Sequence, residues 1–157
     1  MRQHALIVIA SATMWLSPAL VRAQFVQQGP KLVGTGYVKD SLGGGANEGF
    51  AVALSADGNT AIVGGPNDQT SGGAVWIFTR SGAGWTQQGS KLVGTGGFGV
   101  SVALSADGNT AIVGGPNDGS DLNGAAWIFV RSGSTWTQQG PKLVGDFEPY
   151  GQWHLGR

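Results

Sequence analysis

The sequence contains no cysteine, which removes thiolate nucleophiles, thiolate metal sites and disulfide staples together. Charge is also scarce. Asp, Glu, Lys and Arg make up 11% of the 157 residues and cancel to a formal net charge of zero, so no basic surface is on offer to nucleic acid or anionic membrane. Of the 2 histidines, His4 lies near the N-terminus and His154 near the C-terminus. A Ser-His-Asp device would therefore rest on His154, and no G-x-S-x-G elbow surrounds Ser55, Ser81, Ser105 or Ser132. Beyond residue 24 no segment shows a helical period and no apolar run reaches membrane length.

What is abundant is glycine, 29 residues in all, well above the roughly 7% of ordinary usage. There is no strict triplet, and 6 Trp and 6 Phe accompany the glycine, so the chain reads as many short strands joined by tight turns rather than as a disordered tract. The first residues read as an address. Arg2 supplies a positive start, an apolar stretch runs from Ala5 to Leu20, and Val21-Arg22-Ala23 fits the small-x-small cleavage rule. Residues 1–23 are thus expected to be a signal peptide cleaved after Ala23, and the mature chain to be secreted, periplasmic or at the cell surface. Cleavage takes Arg2 and Arg22 from the 9 basic residues, leaving 7 against 9 acidic ones, a balance of −2.

Internal repetition organises the remainder. Residues 51–68 (AVALSADGNTAIVGGPND) and 101–118 (SVALSADGNTAIVGGPND) differ only at their first position. The likeness continues through 72–94 and 123–145, and a fragment of the same unit, FVQQGPKLVG, stands at 25–34. Each unit parses into four strands: 50–55 and 100–105, 60–64 and 110–114, 74–80 and 125–131, 85–93 and 136–144, the last with a glycine at its centre as a point of interruption. Ala56-Asp57-Gly58-Asn59 and its counterpart Ala106-Asp107-Gly108-Asn109 suit a tight hairpin, because Gly and Asn tolerate positive φ. In the third strand Val75 and Ile77 point to one side and Trp76 and Phe78 to the other. A strand apolar on both faces belongs to a sheet covered on both faces, as radially stacked propeller blades are.

In these features the chain resembles the FG-GAP repeats of bacterial extracellular proteins and of the integrin α-subunit propeller. Phe98-Gly99 stands where that family has its Phe-Gly pair, reversed to Gly49-Phe50 in the first unit. Gly64-Gly65-Pro66 and Gly114-Gly115-Pro116 stand for its Gly-Ala-Pro, and GGAVWIF and NGAAWIF match the strand that follows. The resemblance covers about residues 25–145. It implies an all-β fold of two four-stranded antiparallel β-propeller blades, 50–94 and 98–145, as a partial propeller or one completed by oligomerisation. An orphan strand and Gly-rich loop (24–49) precede them and an irregular tail (146–157) follows. Many members of the family carry a calcium loop of alternating Asp and Asn, but the corresponding interval here, ALSADGNTAIV, holds one carboxylate, where a hard cation wants six or more oxygens.

Candidate chemistry is thin. Asp57 and Asp107 recur at equivalent turns and read as turn builders. Asn67-Asp68 and Asn117-Asp118 follow Gly-Pro and read as loop caps. The nearest approach to a metal site is Asp118, Asp121 and Asn123 ahead of Gly124, three oxygen side chains without the closing bidentate Glu. A polar loop is the expected reading there, with no cofactor and no calcium. Gly43-Gly44-Gly45 opens no helix and offers no phosphate cradle. Trp76 and Trp127 are expected in the core. Trp85 and Trp136 each begin a strand beside Gly or Thr and are the candidates for glycan contact, core packing being the plainer role.

Three functional expectations follow. The first is an exported, non-catalytic module for a protein or glycan partner, with adhesion or scaffolding implied by the family resemblance. The second is a small lectin that assembles with copies of itself, since two blades leave outer apolar faces uncovered. The third is a fragment of a longer repeat protein, because GDFEPYGQWHLGR departs from the pattern where a further unit would begin.

Overall fold

The computed structural model describes residues 26–39, 42–69, 72–120 and 122–145. The expected signal peptide, the tail with His154, and Asp121 lie outside the described residues. Strands form where side chains alternate between two apolar faces. They are β1 (Ala51–Leu54), β2 (Thr60–Gly65), β3 (Ala74–Ser81), β4 (Gly84–Gln87), β5 (Leu92–Val93), β6 (Ser101–Leu104), β7 (Thr110–Gly115), β8 (Ala125–Ser132) and β9 (Thr135–Gln138). The fold is all-β: no helix occurs among the described residues.

Two antiparallel sheets result, ordered β1-β2-β3-β4 and β6-β7-β8-β9, with β5 also on β3. Their registers are the same. Ile62 faces Ile77 and Val63 faces Trp76 in the first sheet; Ile112 faces Ile128 and Val113 faces Trp127 in the second. The Asp-Gly-Asn turn closes each first hairpin. Ser55 N donates to Thr60 O at 2.9 Å and Gly58 N to Ser55 O at 2.9 Å, with Gly58 at φ 67°, a conformation that favours glycine. The fourth strand is divided as its central glycine indicated: residues 88–91, with Gly89 among them, separate β4 from β5. In the second unit the part after the break is reduced to one bridge, Ala126 to Leu143.

The sheets lie face to face, and the pairing of faces is polar, in the sense of head to tail. Ile62, Val75 and Ile77 of the first sheet enter one buried cluster with Ala111, Val113, Trp127 and Phe129 of the second. Phe98, from the connection between the sheets, fills its centre, 5.1 Å from the Trp127 ring and 6.0 Å from the Phe129 ring, edge-on to both. Backbone approaches backbone here: a Cβ on Gly64 would lie 2.1 Å from Gly99 O, so that position admits no side chain.

The opposite face of the first sheet, Ala61, Val63, Trp76 and Phe78, forms a second buried cluster. Double-sided burial of the first sheet is as its sequence indicated, but the cover is different. Among the described residues no sheet lies there; Leu32 and Ala46 of the N-terminal segment do. The segment read as an orphan strand carries no strand among its described residues. Its counterparts β5 and Leu143 pair with the third strand of their own unit. It is held instead by Trp76 Nε1 donating to Thr35 O at 2.9 Å and Gly34 N donating to the Glu48 carboxylate at 2.7 Å.

Candidate functional site

The repeated charged side chains come first, because a site needs charge that is not already committed. Asp57 accepts from the Ser55 hydroxyl, from Asn59 N at 3.0 Å and from the Asn59 side-chain amide at 3.0 Å. Those donors, the Ser55 hydroxyl foremost, lower its pKa to about 2. Asp107 repeats the arrangement with Ser105 and Asn109 and is also lowered. A carboxyl fixed by three donors within its own turn is a structural acceptor, as its recurrence indicated.

A pH dependence follows from the sign of these shifts. A carboxylate whose folded pKa lies below its unfolded value, roughly 3.9, stabilises the fold above that value and ceases to do so as pH falls through the folded pKa. The melting temperature is expected to fall between about pH 4 and pH 2, and to fall less steeply in the Asp57→Asn/Asp107→Asn variant. Thermal unfolding followed by circular dichroism across that range reads both; equal slopes for the two proteins would contradict it.

Asp68 and Asp118, read from sequence as loop caps, do more. Asp68 is fully buried and receives the Lys91 ammonium on both oxygens at 2.8 Å, and Val38 N at 2.9 Å. Asp118 receives Lys142 and the Thr95 hydroxyl, and these, Lys142 foremost, lower its pKa. The ammonium stands where a cation would have to bind, which takes Asp118 out of the trio Asp118, Asp121 and Asn123; Asn123 is exposed on the loop. Among the described residues no group of three or more His, Asp or Glu is placed to hold a metal. The signal for these ion pairs lay in the repeat itself: each unit has one lysine, in the Gln-Gln-Gly-x-Lys-Leu segment, and one buried Asp after Gly-Gly-Pro-Asn.

Trp76 and Trp127 are buried core residues, as expected. Trp85 and Trp136 are half-buried, at the outer strand of each sheet. Each lies opposite an arginine in register, Arg80 to Trp85 and Arg131 to Trp136, with the guanidinium 5.8 and 5.7 Å from the ring centre. Arg80 also donates to Asn59 Oδ1 at 3.1 and 3.0 Å and to Gln28 at 2.8 Å. Arg131 repeats this with Asn109 and Gln88. Trp136 Nε1 donates to Gln88 as well, at 2.9 Å.

Beside each indole runs a surface cleft whose opposite wall is the Gln-Gly-x-Lys-Leu segment of the preceding unit. The first, about 280 Å³, is lined by Pro30, Leu32, Thr35, Phe78 and Trp85. The second, about 380 Å³, is lined by Gln88, Lys91, Leu92, Thr135 and Trp136. The clefts are the same place in successive units. An aromatic wall facing backbone amides and hydroxyls suits a sugar ring or an extended peptide. The pairing of Trp85 and Trp136 with these walls was not legible in the sequence, because the facing segment comes from another unit. No protein-family model matches the chain, and no curated protein matches it.

Proposed function

We propose that this chain is an exported, non-catalytic interaction module built from propeller-type blades, with residues 1–23 directing export. One observation carries the blade reading: the Val75/Ile77 face of one sheet is seated on the Trp127/Phe129 face of its near-identical successor. Stacking of like sheets, unlike face to unlike face, is the relation a radial array repeats. The FG-GAP resemblance points the same way, toward adhesion or scaffolding. Commitment of Asp57, Asp68, Asp107, Asp118, Arg80 and Arg131 to turns and ion pairs supports a binding role over acid–base chemistry.

Within that role the repeated clefts favour a glycan ligand. The protein on a glycan array is expected to bind a saccharide class, Trp85→Ala and Trp136→Ala each to weaken the signal, and the double variant to abolish it. Loss of one base–aromatic-sized stacking contact costs about 1–3 kcal/mol, or roughly five- to 150-fold in affinity. Undiminished binding by the folded double variant would move the ligand elsewhere.

A further inference from the structure

The two units have almost the same sequence, yet equivalent residues differ in exposure, and the differences mark two faces. Ile62 is fully buried, because the second sheet lies over it; Ile112, the same residue one unit later, is 42% exposed. Ala103, Ala126 and Ile128 share that open face of the second sheet, whereas their counterparts Ala53, Val75 and Ile77 are packed in the junction. The reverse holds on the first sheet. Val52 and Leu54 are 67% and 60% exposed, while Val102 and Leu104 pack against the first sheet. The described residues thus present two unlike apolar faces, each lined by repeat counterparts of residues in the internal junction.

We propose that a second copy of this chain covers these faces, head to tail, by repeating the internal junction between chains. The Ile112/Ala103/Ile128 face of one copy seats on the Val52/Leu54 side of the next, as Ile62/Ala53/Ile77 seats on Val102/Leu104 within a chain. The occupant is specified by continuity: Ile62, Ala53 and Ile77 already meet Val102 and Leu104 inside each molecule, and Ile112, Ala103 and Ile128 and, on the other side, Val52 and Leu54 are their repeat counterparts. Such contact is heterologous, so it builds a ring or an open chain rather than a two-fold dimer.

A second observation shows how the junction is completed. Residues 27–34 and 138–145 are the same octapeptide, Gln-Gln-Gly-Pro-Lys-Leu-Val-Gly, and both make the same local bond, the Gln27 side-chain amide donating to Gly29 O at 2.7 Å and that of Gln138 to Gly140 O at 2.9 Å. At a junction between chains both octapeptides claim one place. The N-terminal one is already fastened within the receiving copy: Gln28 accepts from Arg80 of β3, Gly34 N donates to Glu48, and the adjoining Thr35 O accepts from Trp76 of β3. The C-terminal one belongs to the β8 ladder through Gln138 and Gln139; beyond these it is held by the Ala126–Leu143 bridge and by Lys142 on Asp118, with Leu143 and Val144 52% and 60% exposed. Residues 140–145 of the incoming copy, past the end of the ladder, therefore yield, and residues 29–34 of the receiving copy take their position beside β8. Lys31, exposed in the single chain, then stands where Lys142 stood and supplies the ammonium to Asp118 of the other copy.

The test is sedimentation of the full chain, purified as the expressing cell processes it. The wild type is expected at a multiple of the monomer mass. Ile112→Asp and Leu54→Asp, each on a different exposed face, are expected to be folded monomers. Mixed one to one, the two variants are expected to double in mass and go no further, because each keeps one intact face that fits the other's. Ala103→Arg and Val52→Asp serve in place of either variant that fails to give the wild-type circular dichroism spectrum. A monomeric wild type, variants that assemble like it, or a mixture that stays monomeric or grows beyond a dimer overturns the proposal. None of those results touches the second cleft, which Gln88, Lys91, Leu92, Thr135 and Trp136 of one chain line.

Discussion

Replacing Phe98 with alanine is expected to remove about 3–5 kcal/mol from the unfolding free energy, the range for deleting a buried aromatic ring. Phe98 is fully buried and belongs to neither sheet. Its ring fills the centre of the junction between them, edge-on to Trp127 and Phe129. The loss combines the transfer energy of the ring, the void left between two sheets that close backbone contact at Gly64 and Gly99 keeps in place, and two aromatic contacts worth about 0.5–1.5 kcal/mol each. Phe50 is the internal control. It belongs to the reversed Gly-Phe pair of the first unit and is 56% exposed, so Phe50→Ala is expected to stay within about 0.5 kcal/mol of wild type. Urea unfolding monitored by tryptophan fluorescence compares them; similar midpoints for the two variants would contradict the central role of Phe98.

Asp68→Asn is expected to cost about 3–5 kcal/mol, since it takes from the nearly buried Lys91 ammonium a carboxylate that it meets on both oxygens. The Lys91 side chain is 12% exposed and that of Asp68 fully buried, so little water can replace the carboxylate. Desolvation makes the penalty for one missing partner larger than the value of the intact pair. Replacing both residues with apolar ones, as in Asp68→Leu/Lys91→Met, is therefore expected to recover most of the loss in the same unfolding assay. A double variant as unstable as the single one would place the energy in the Val38 N–H bond to Asp68 instead.

Strands, turns and the interrupted fourth strand were legible in the sequence because each depends on neighbours a few residues away. Alternation at Val75-Trp76-Ile77-Phe78 gives the two apolar faces, and Asp57-Gly58-Asn59 gives the hairpin. That both faces of the first sheet are covered also followed. What covers the Trp76 side did not, since Leu32 and Ala46 are joined to it only by tertiary contact. The Asp68–Lys91 and Asp118–Lys142 pairs escaped for the same reason: their partners lie 23 and 24 residues apart, beyond any local period. Trp85 and Trp136 were identifiable as aromatic and near a strand start, but the walls that make clefts of them come from the unit before.

The charge relations described above have a bearing on how such a chain changes length. The lysine of each unit is paired with an aspartate of that unit, and its arginine reaches its own turn, its own outer-strand Trp and the glutamine of the segment before. Copying or deleting one whole unit in frame would leave no orphaned ion and would recreate the same seam at the new neighbour. Recombination can therefore edit this protein in complete modules, with a per-module stability that stays nearly constant.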